Sequence, residues 1–129
     1  MTEVLVKTEQ VGPVLWVTLN QGKRRNPLSS SMIATLTQVL ASGYEDDRCR
    51  VIVLAAEGPV FSSGHDLKEM HPQEGEDNPA TRQRIVTILE SCAALMQGIV
   101  QAPKPVIACV QGTATAAGCQ LVSACDLAI

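Results

Sequence analysis

Aromatic side chains are nearly missing from this sequence, which has one Trp, one Tyr and one Phe in 129 residues. A core without rings must be filled by aliphatic side chains and alanine, a composition that suits helices packed closely on a sheet. Histidine is equally scarce. His65 and His71 are the only two, and no Cys/His spacing resembles a zinc site, so no metal centre is expected. No CxxC pair occurs among Cys49, Cys92, Cys109, Cys119 and Cys125. Their number is odd and most lie in apolar stretches, where a free cysteine behaves as a small hydrophobe. A reducing compartment is the natural expectation. Long apolar runs are absent too. Pro105 to Val110 is far too short to span a bilayer, and Met1-Thr2-Glu3-Val4 has no positive region leading into an apolar core. A cytoplasmic location without a membrane partner is the expectation that follows.

Positive charge is also short. The formal net charge is -3, and the basic residues cluster only at Lys23-Arg24-Arg25. Duplex binders concentrate more cations on one face, so no nucleic-acid partner is expected. Three cations fit either a solvated loop or a grip on one phosphate-bearing ligand. Neither GxGxxG nor GxxxxGK[ST] occurs, which leaves a nucleotide-binding fold with little support.

What the sequence does contain is 46% hydrophobic residues against 18% charged, which excludes disorder and fills one modest core. Val4 to Glu9 and Val14 to Leu19 alternate as strands and enclose the turn residues Gly12-Pro13, predicting an antiparallel hairpin. A Ser29-Ser30-Ser31 cap opens a helix with Met32, Ile33, Leu36, Val39 and Leu40 on one face, which Gly43 ends or loosens. Val51-Ile52-Val53-Leu54 is a β-branched run suited to a parallel strand covered on both sides, which Val60-Phe61 briefly extends. After a short helix over Leu67 to Met70 and a surface loop, Ala80 to Gln101 reads as the longest helix. Its apolar face is Ile85, Ile88, Leu89, Cys92, Leu95, Met96 and Ile99, and Pro103 and Pro105 stop it. Val106 to Val110 is the next buried strand, small residues lead into a helix through Ala124, and Leu127-Ala128-Ile129 begins another strand. Strands alternating with helices give an α/β class with right-handed crossovers. The last strand has barely begun, so the chain reads as unfinished.

Two strand-loop-helix elements can face one ligand. In the first, Ser62-Ser63-Gly64 forms a turn of small residues and His65 lies at the entry to the Leu67 helix, where backbone N–H groups point outward. The plainer alternative is an ordinary turn in which Asp66 caps the helix. In the second, Thr113 to Gly118 holds nothing larger than threonine, so a ligand can approach the backbone and Ala117 can donate its N–H. Here the alternative is that small residues serve close helix–sheet packing. Two amides converging on one carbonyl oxygen stabilise negative charge developing there, as in an enolate formed from a thioester.

At these residues the sequence resembles the crotonase, or enoyl-CoA hydratase/isomerase, superfamily. Ala55-Ala56-Glu57-Gly58-Pro59-Val60-Phe61-Ser62-Ser63-Gly64-His65-Asp66-Leu67 is similar to the family's first signature. Pro105 to Asp126, with Gly112-Thr113-Ala114-Thr115-Ala116-Ala117-Gly118-Cys119-Gln120 at its centre, is similar to the second. Leu19-Asn20 and Arg25-Asn26-Pro27-Leu28 look like the start of its CoA-binding region. The resemblance implies a crotonase-like (ClpP/crotonase) spiral of repeated β-β-α units, with residues 1–129 as the N-terminal half of one domain. It also implies assembly as a homotrimer or a dimer of trimers.

It further implies that the N–H groups of His65 and Ala117 form an oxyanion hole for an acyl-CoA or enoyl-CoA thioester. Arg25, Asn26, Leu28, Gly64 and Asp66 would lie against coenzyme A, which enters as part of the substrate and not as a tightly bound cofactor. Gln120 departs from the pattern. It stands where the hydratases carry a catalytic glutamate, and an amide cannot serve as general acid or base. A hydratase, a double-bond isomerase relying on a later carboxylate, and a non-catalytic acyl-CoA binder all remain open. So does Gln120 as an ordinary polar helix residue. Ala117 replaces a common family glycine, a change that keeps the main-chain donor.

Overall fold

A computed structural model describes residues 3–129; the first two residues of the Met1-Thr2-Glu3-Val4 stretch lie outside the described residues. In chain order the strands and helices are β1 (Val6–Val11), β2 (Val14–Leu19), β3 (Pro27–Leu28), α1 (Ser30–Glu45), β4 (Val51–Ala56), β5 (Val60–Ser62), β6 (Gly64–His65), α2 (Asn78–Val100), β7 (Val106–Ala108), β8 (Thr113–Ala114), α3 (Ala117–Ala124) and β9 (Leu127–Ala128). Single 3-10 turns occur at Gly22–Arg24 and Leu67–Met70.

The hairpin forms because Gly12, at φ 56°, makes the two-residue turn that pairs Val11 with Val14. Every later pairing in the main sheet is parallel, and its strand order is β1-β2-β4-β7-β9. Ile52, Val53 and Leu54 of β4 are buried, as a central strand covered on both faces requires.

Ser29 caps α1, its hydroxyl accepting the Met32 N–H at 3.1 Å. Met32, Ile33, Leu36 and Leu40 then face the core. Gly43 does not end this helix. It lies inside α1 against β2 and β4, where a Cβ would stand 2.9 Å from Leu15 Cδ2, so a side chain there would require Leu15 to shift. Asp77 caps α2, accepting from Ala80 N at 2.8 Å, and Pro79 occupies the first turn, where a missing N–H costs nothing. The buried face of α2 is narrower than the sequence pattern suggests, because Leu89 is 48% exposed.

Three turns of the chain repeat one plan: a strand in the main sheet, a short strand outside it, then a helix. They are β2-β3-α1, then β4-β5-β6 with α2, then β7-β8-α3. The outer strands stack in parallel as well, β3 on β6 and β5 on β8. Val60-Phe61 therefore does not extend the β4 ladder, as the sequence suggested, but leaves it to pair with β8. That second layer places the end of β5 beside the residues that open α3.

Candidate active site

The two turns singled out in the sequence are in direct contact. Ser62 O accepts the Thr115 N–H at 3.1 Å. Gly118 comes so close that a Cβ on it would fall 2.3 Å from that same oxygen. Gly64 adopts φ +90°, a conformation open to glycine, and a Cβ there would lie 3.1 Å from Ala117 N. Small residues at Gly64 and Gly118 thus serve close packing, and that packing is what brings the two turns together. Standard bond lengths then put the His65 and Ala117 nitrogens within about 7 Å of each other. Two donors to one oxygen must sit no more than about 6 Å apart, a separation that this bound permits.

Ala117 is the first residue of α3 and is 7% exposed. Its N–H finds no acceptor among the described residues, as expected of a first-turn amide. The residue before it, Ala116, sits at φ 52°, ψ -126° and offers no side-chain cap. Such a conformation strains an L-residue by about 1–3 kcal/mol and is typical of sites where backbone is held for a purpose. His65 is in β6, beside Leu28, rather than in the first turn of a helix. Asp66 caps the 3-10 turn instead, its Oδ1 accepting Lys68 N at 3.0 Å. The capping alternative for Asp66 is therefore the observed one. Gln120 is exposed one turn into α3.

Asn26, expected against coenzyme A, has a structural role that the sequence conceals. It is fully buried at φ 48°. Its Oδ1 accepts Gln21 N at 2.8 Å, and its Nδ2 donates to Glu57 O and Val60 O, each at 2.9 Å. Its own carbonyl accepts Ser62 Oγ at 2.8 Å, and Ser62 Oγ in turn receives Gly64 N at 3.3 Å. Leu28 is likewise fully buried. Neither side chain has surface to offer a ligand; they hold the Asn20–Leu28 loop under the Gly64 turn.

A surface cleft lies just outside. An open cleft of about 430 Å³ is lined by Arg24, Arg25, Pro27, Ser63, His65, Asp66, Leu67 and Lys68. Arg24 pairs with Asp66 at 3.2 Å, tying the basic loop to the turn that carries His65. Arg25 and Lys68 make no ion pair among the described residues, so two cations face the cleft unneutralised. Lys68 joins Arg24 and Arg25, two of the three cations of the basic loop, in lining this cleft. Further along, Arg84 on α2 holds Glu76 at 2.9 Å and, with the Thr81 hydroxyl and the Gln73 amide, keeps its carboxyl down at about 2. Burial pushes the Cys125 thiol up to about 11, which makes it a packing group and not a nucleophile near neutral pH. Among the described residues no cluster of three or more His, Cys, Asp or Glu could hold a metal ion, and no helix is long and apolar enough to cross a membrane.

A spiral of β-β-α turns, with two loops of small residues pressed together beside a basic cleft, is the architecture of the crotonase fold. The solved human enoyl-CoA hydratase domain-containing protein 3 shares it with a TM-score of 0.88 and 39% identity, over 97% of this chain and 47% of that one. In sequence, residues 9–129 match the family described as enoyl-CoA hydratase/isomerase, and the chain belongs to that family.

Among its relatives, the mitochondrial enoyl-CoA hydratase domain-containing protein 3 of Danio rerio is 44% identical over 97% of this chain and 41% of its own length. The mitochondrial Delta(3,5)-Delta(2,4)-dienoyl-CoA isomerase of Mus musculus is 32% identical over 88% of this chain and 36% of its own length. The chain thus spans less than half of these relatives. Their names also correct the cytoplasmic expectation, since both are mitochondrial proteins. Free cysteines indicate a reducing environment but do not say which compartment supplies it.

Proposed function

We propose that this chain carries the thioester-polarising part of an acyl-CoA enzyme of the hydratase/isomerase type. The N–H groups of His65 and Ala117 bind the thioester carbonyl oxygen, and the Arg24, Arg25 and Lys68 cleft receives the phosphates of coenzyme A. The observation that carries this reading is the approach of Gly64 to Ala117 N, 3.1 Å from an added Cβ, with that amide unpaired. Donors fixed in place stabilise developing enolate charge without reorganising, and loss of one such donor typically costs about 3 kcal/mol of transition-state stabilisation. The His65 imidazole has no part in this; its main chain acts. No tightly bound cofactor is needed, because coenzyme A arrives with the substrate. Assembly as a homotrimer or a dimer of trimers belongs to the same reading and rests on the family resemblance.

A second reading is supported by Gln120. Exposed on α3 and unable to exchange a proton near neutral pH, it orients a substrate or water but does not drive hydration. An acyl-CoA binder without hydratase turnover fits that residue. The test is an assay of the full-length protein with enoyl-CoA thioesters of several chain lengths, following hydration and double-bond migration, beside calorimetric binding. Turnover in either direction supports the enzyme; binding without turnover favours the second reading; no binding defeats both.

A further inference from the structure

Between β6 and α2 the chain makes an excursion over residues 66–77 whose backbone bonds to itself only in the 3-10 turn, which Glu69 N to Asp66 O opens, and at Glu76 N to Gln73 O. Its first part, Asp66, Leu67 and Lys68, is one wall of the basic cleft. Leu67 is 73% exposed, so packing does not hold that wall. Side chains hold it instead. Arg84, from the second turn of α2, donates to Glu69 O and, at 2.7 Å, to His71 O, while gripping Glu76 through Nε at 2.9 Å and Nη2 at 3.2 Å. Glu76 also accepts Gln73 N at 3.0 Å and Thr81 Oγ1 at 2.6 Å. Gln73 Nε2 completes the set with Lys68 O at 3.1 Å and His71 O at 2.9 Å. The Glu69 carboxylate anchors the segment to α1 through Ser30 N and Oγ at 3.0 and 2.7 Å. One guanidinium on a rigid helix thus gathers three points of a segment that lacks a ladder of its own.

We propose that Arg84 is the positioning residue for the ligand cleft: it fixes the 66–77 segment so that Lys68 and the turn carrying His65 meet a coenzyme A thioester in a preformed arrangement. This rests on the acyl-CoA reading above. Arg84 touches no ligand itself. Its effect is on affinity, because an unanchored wall must be ordered each time a ligand binds.

The test uses the full-length protein with acetyl-CoA as probe, comparing wild type with Arg84→Met, Arg84→Lys and Gln73→Ala at a temperature where each is folded. Hydrogen exchange over residues 66–77 is followed alongside the dissociation constant. The expected results are faster exchange confined to that segment and binding weakened about tenfold in Arg84→Met, the scale of one lost charge-assisted bond. Arg84→Lys, which keeps the Glu76 pair but not the fork, should recover part of the affinity. Gln73→Ala should shift both readouts in the same direction, and it carries the test if Arg84→Met does not fold. A change in melting temperature with unchanged affinity overturns the proposal, since a merely structural residue behaves that way. Failure of wild type to bind acetyl-CoA overturns the acyl-CoA reading and this one with it; wild-type binding that every variant matches overturns this one alone.

Discussion

Ser62 O accepts the Thr115 N–H at 3.1 Å, so the turn that ends in His65 and the turn that opens on Ala117 are bonded through their main chains. One strand layer makes the contact possible, because β5 lies parallel to β8. The distance between the two candidate donors is therefore set by backbone pairing, which the glycines at 64 and 118 permit.

Gly118→Ala should break this arrangement. Its Cβ would fall 2.3 Å from Ser62 O, a contact that only backbone movement relieves. Overpacking of this kind costs about 1–3 kcal/mol. A lower melting temperature together with loss of acyl-CoA binding is expected. Unchanged binding in a stable variant would show that the spacing of the two turns does not matter to the ligand.

Asn26→Ala tests the buried keystone. It strands Gln21 N–H, Glu57 O and Val60 O, all now satisfied by one side chain. Only the Gln21 N–H is fully buried, and a buried polar group left without a partner costs about 1–3 kcal/mol, so urea denaturation should reveal a loss in that range. A loss under 1 kcal/mol, on the order of a typical surface change, would contradict the role.

Much of this fold is legible in the sequence because pattern and burial agree. β2 falls on the alternating run Val14–Leu19, and Ser29 caps α1 as a serine before an apolar periodicity should. The paired two-residue strands β3 and β6 and the short β8 are not legible, since period-two patterning needs more residues than they contain. Gly43 reads as ending or loosening the helix, yet it lies inside α1 and packs against Leu15 of β2. Leu89 reads as core but faces outward. Asn26 looks like loop polarity beside Arg25, because its three partners come from Gln21, Glu57 and Val60, and two of these are more than thirty positions away. The grip of Arg84 on the 66–77 segment is hidden for the same reason. Long-range polar contacts leave no local periodicity.

Acid should release that segment before it unfolds the core. The Glu76 carboxyl is held at about 2, against an ordinary 4.5, chiefly by its hydrogen bonds to Arg84. A depressed carboxyl stabilises the folded form above its unfolded value, and that contribution is lost as pH falls from about 4.5 through about 2. Amide resonances of residues 67–77 should broaden or shift across this window, and Glu76→Gln should remove the pH dependence. A segment equally ordered at both ends of the window would contradict the assignment.

Gln120→Glu asks whether the missing carboxyl limits the chemistry. In the full-length protein it should raise hydration of a short enoyl-CoA by about 10²-fold or more, the usual scale for one positioned acid–base group. No gain, with acyl-CoA binding retained, would mean that Gln120 does not stand over the reacting carbons.

The most direct test of the thioester account is a crystal structure of the full-length protein with an unreactive acyl-CoA thioether or thioester analogue that retains the carbonyl. The account predicts one carbonyl oxygen within about 3.1 Å of both His65 N and Ala117 N. A carbonyl bound elsewhere, or held by only one of the two amides in a fully occupied site, would contradict it.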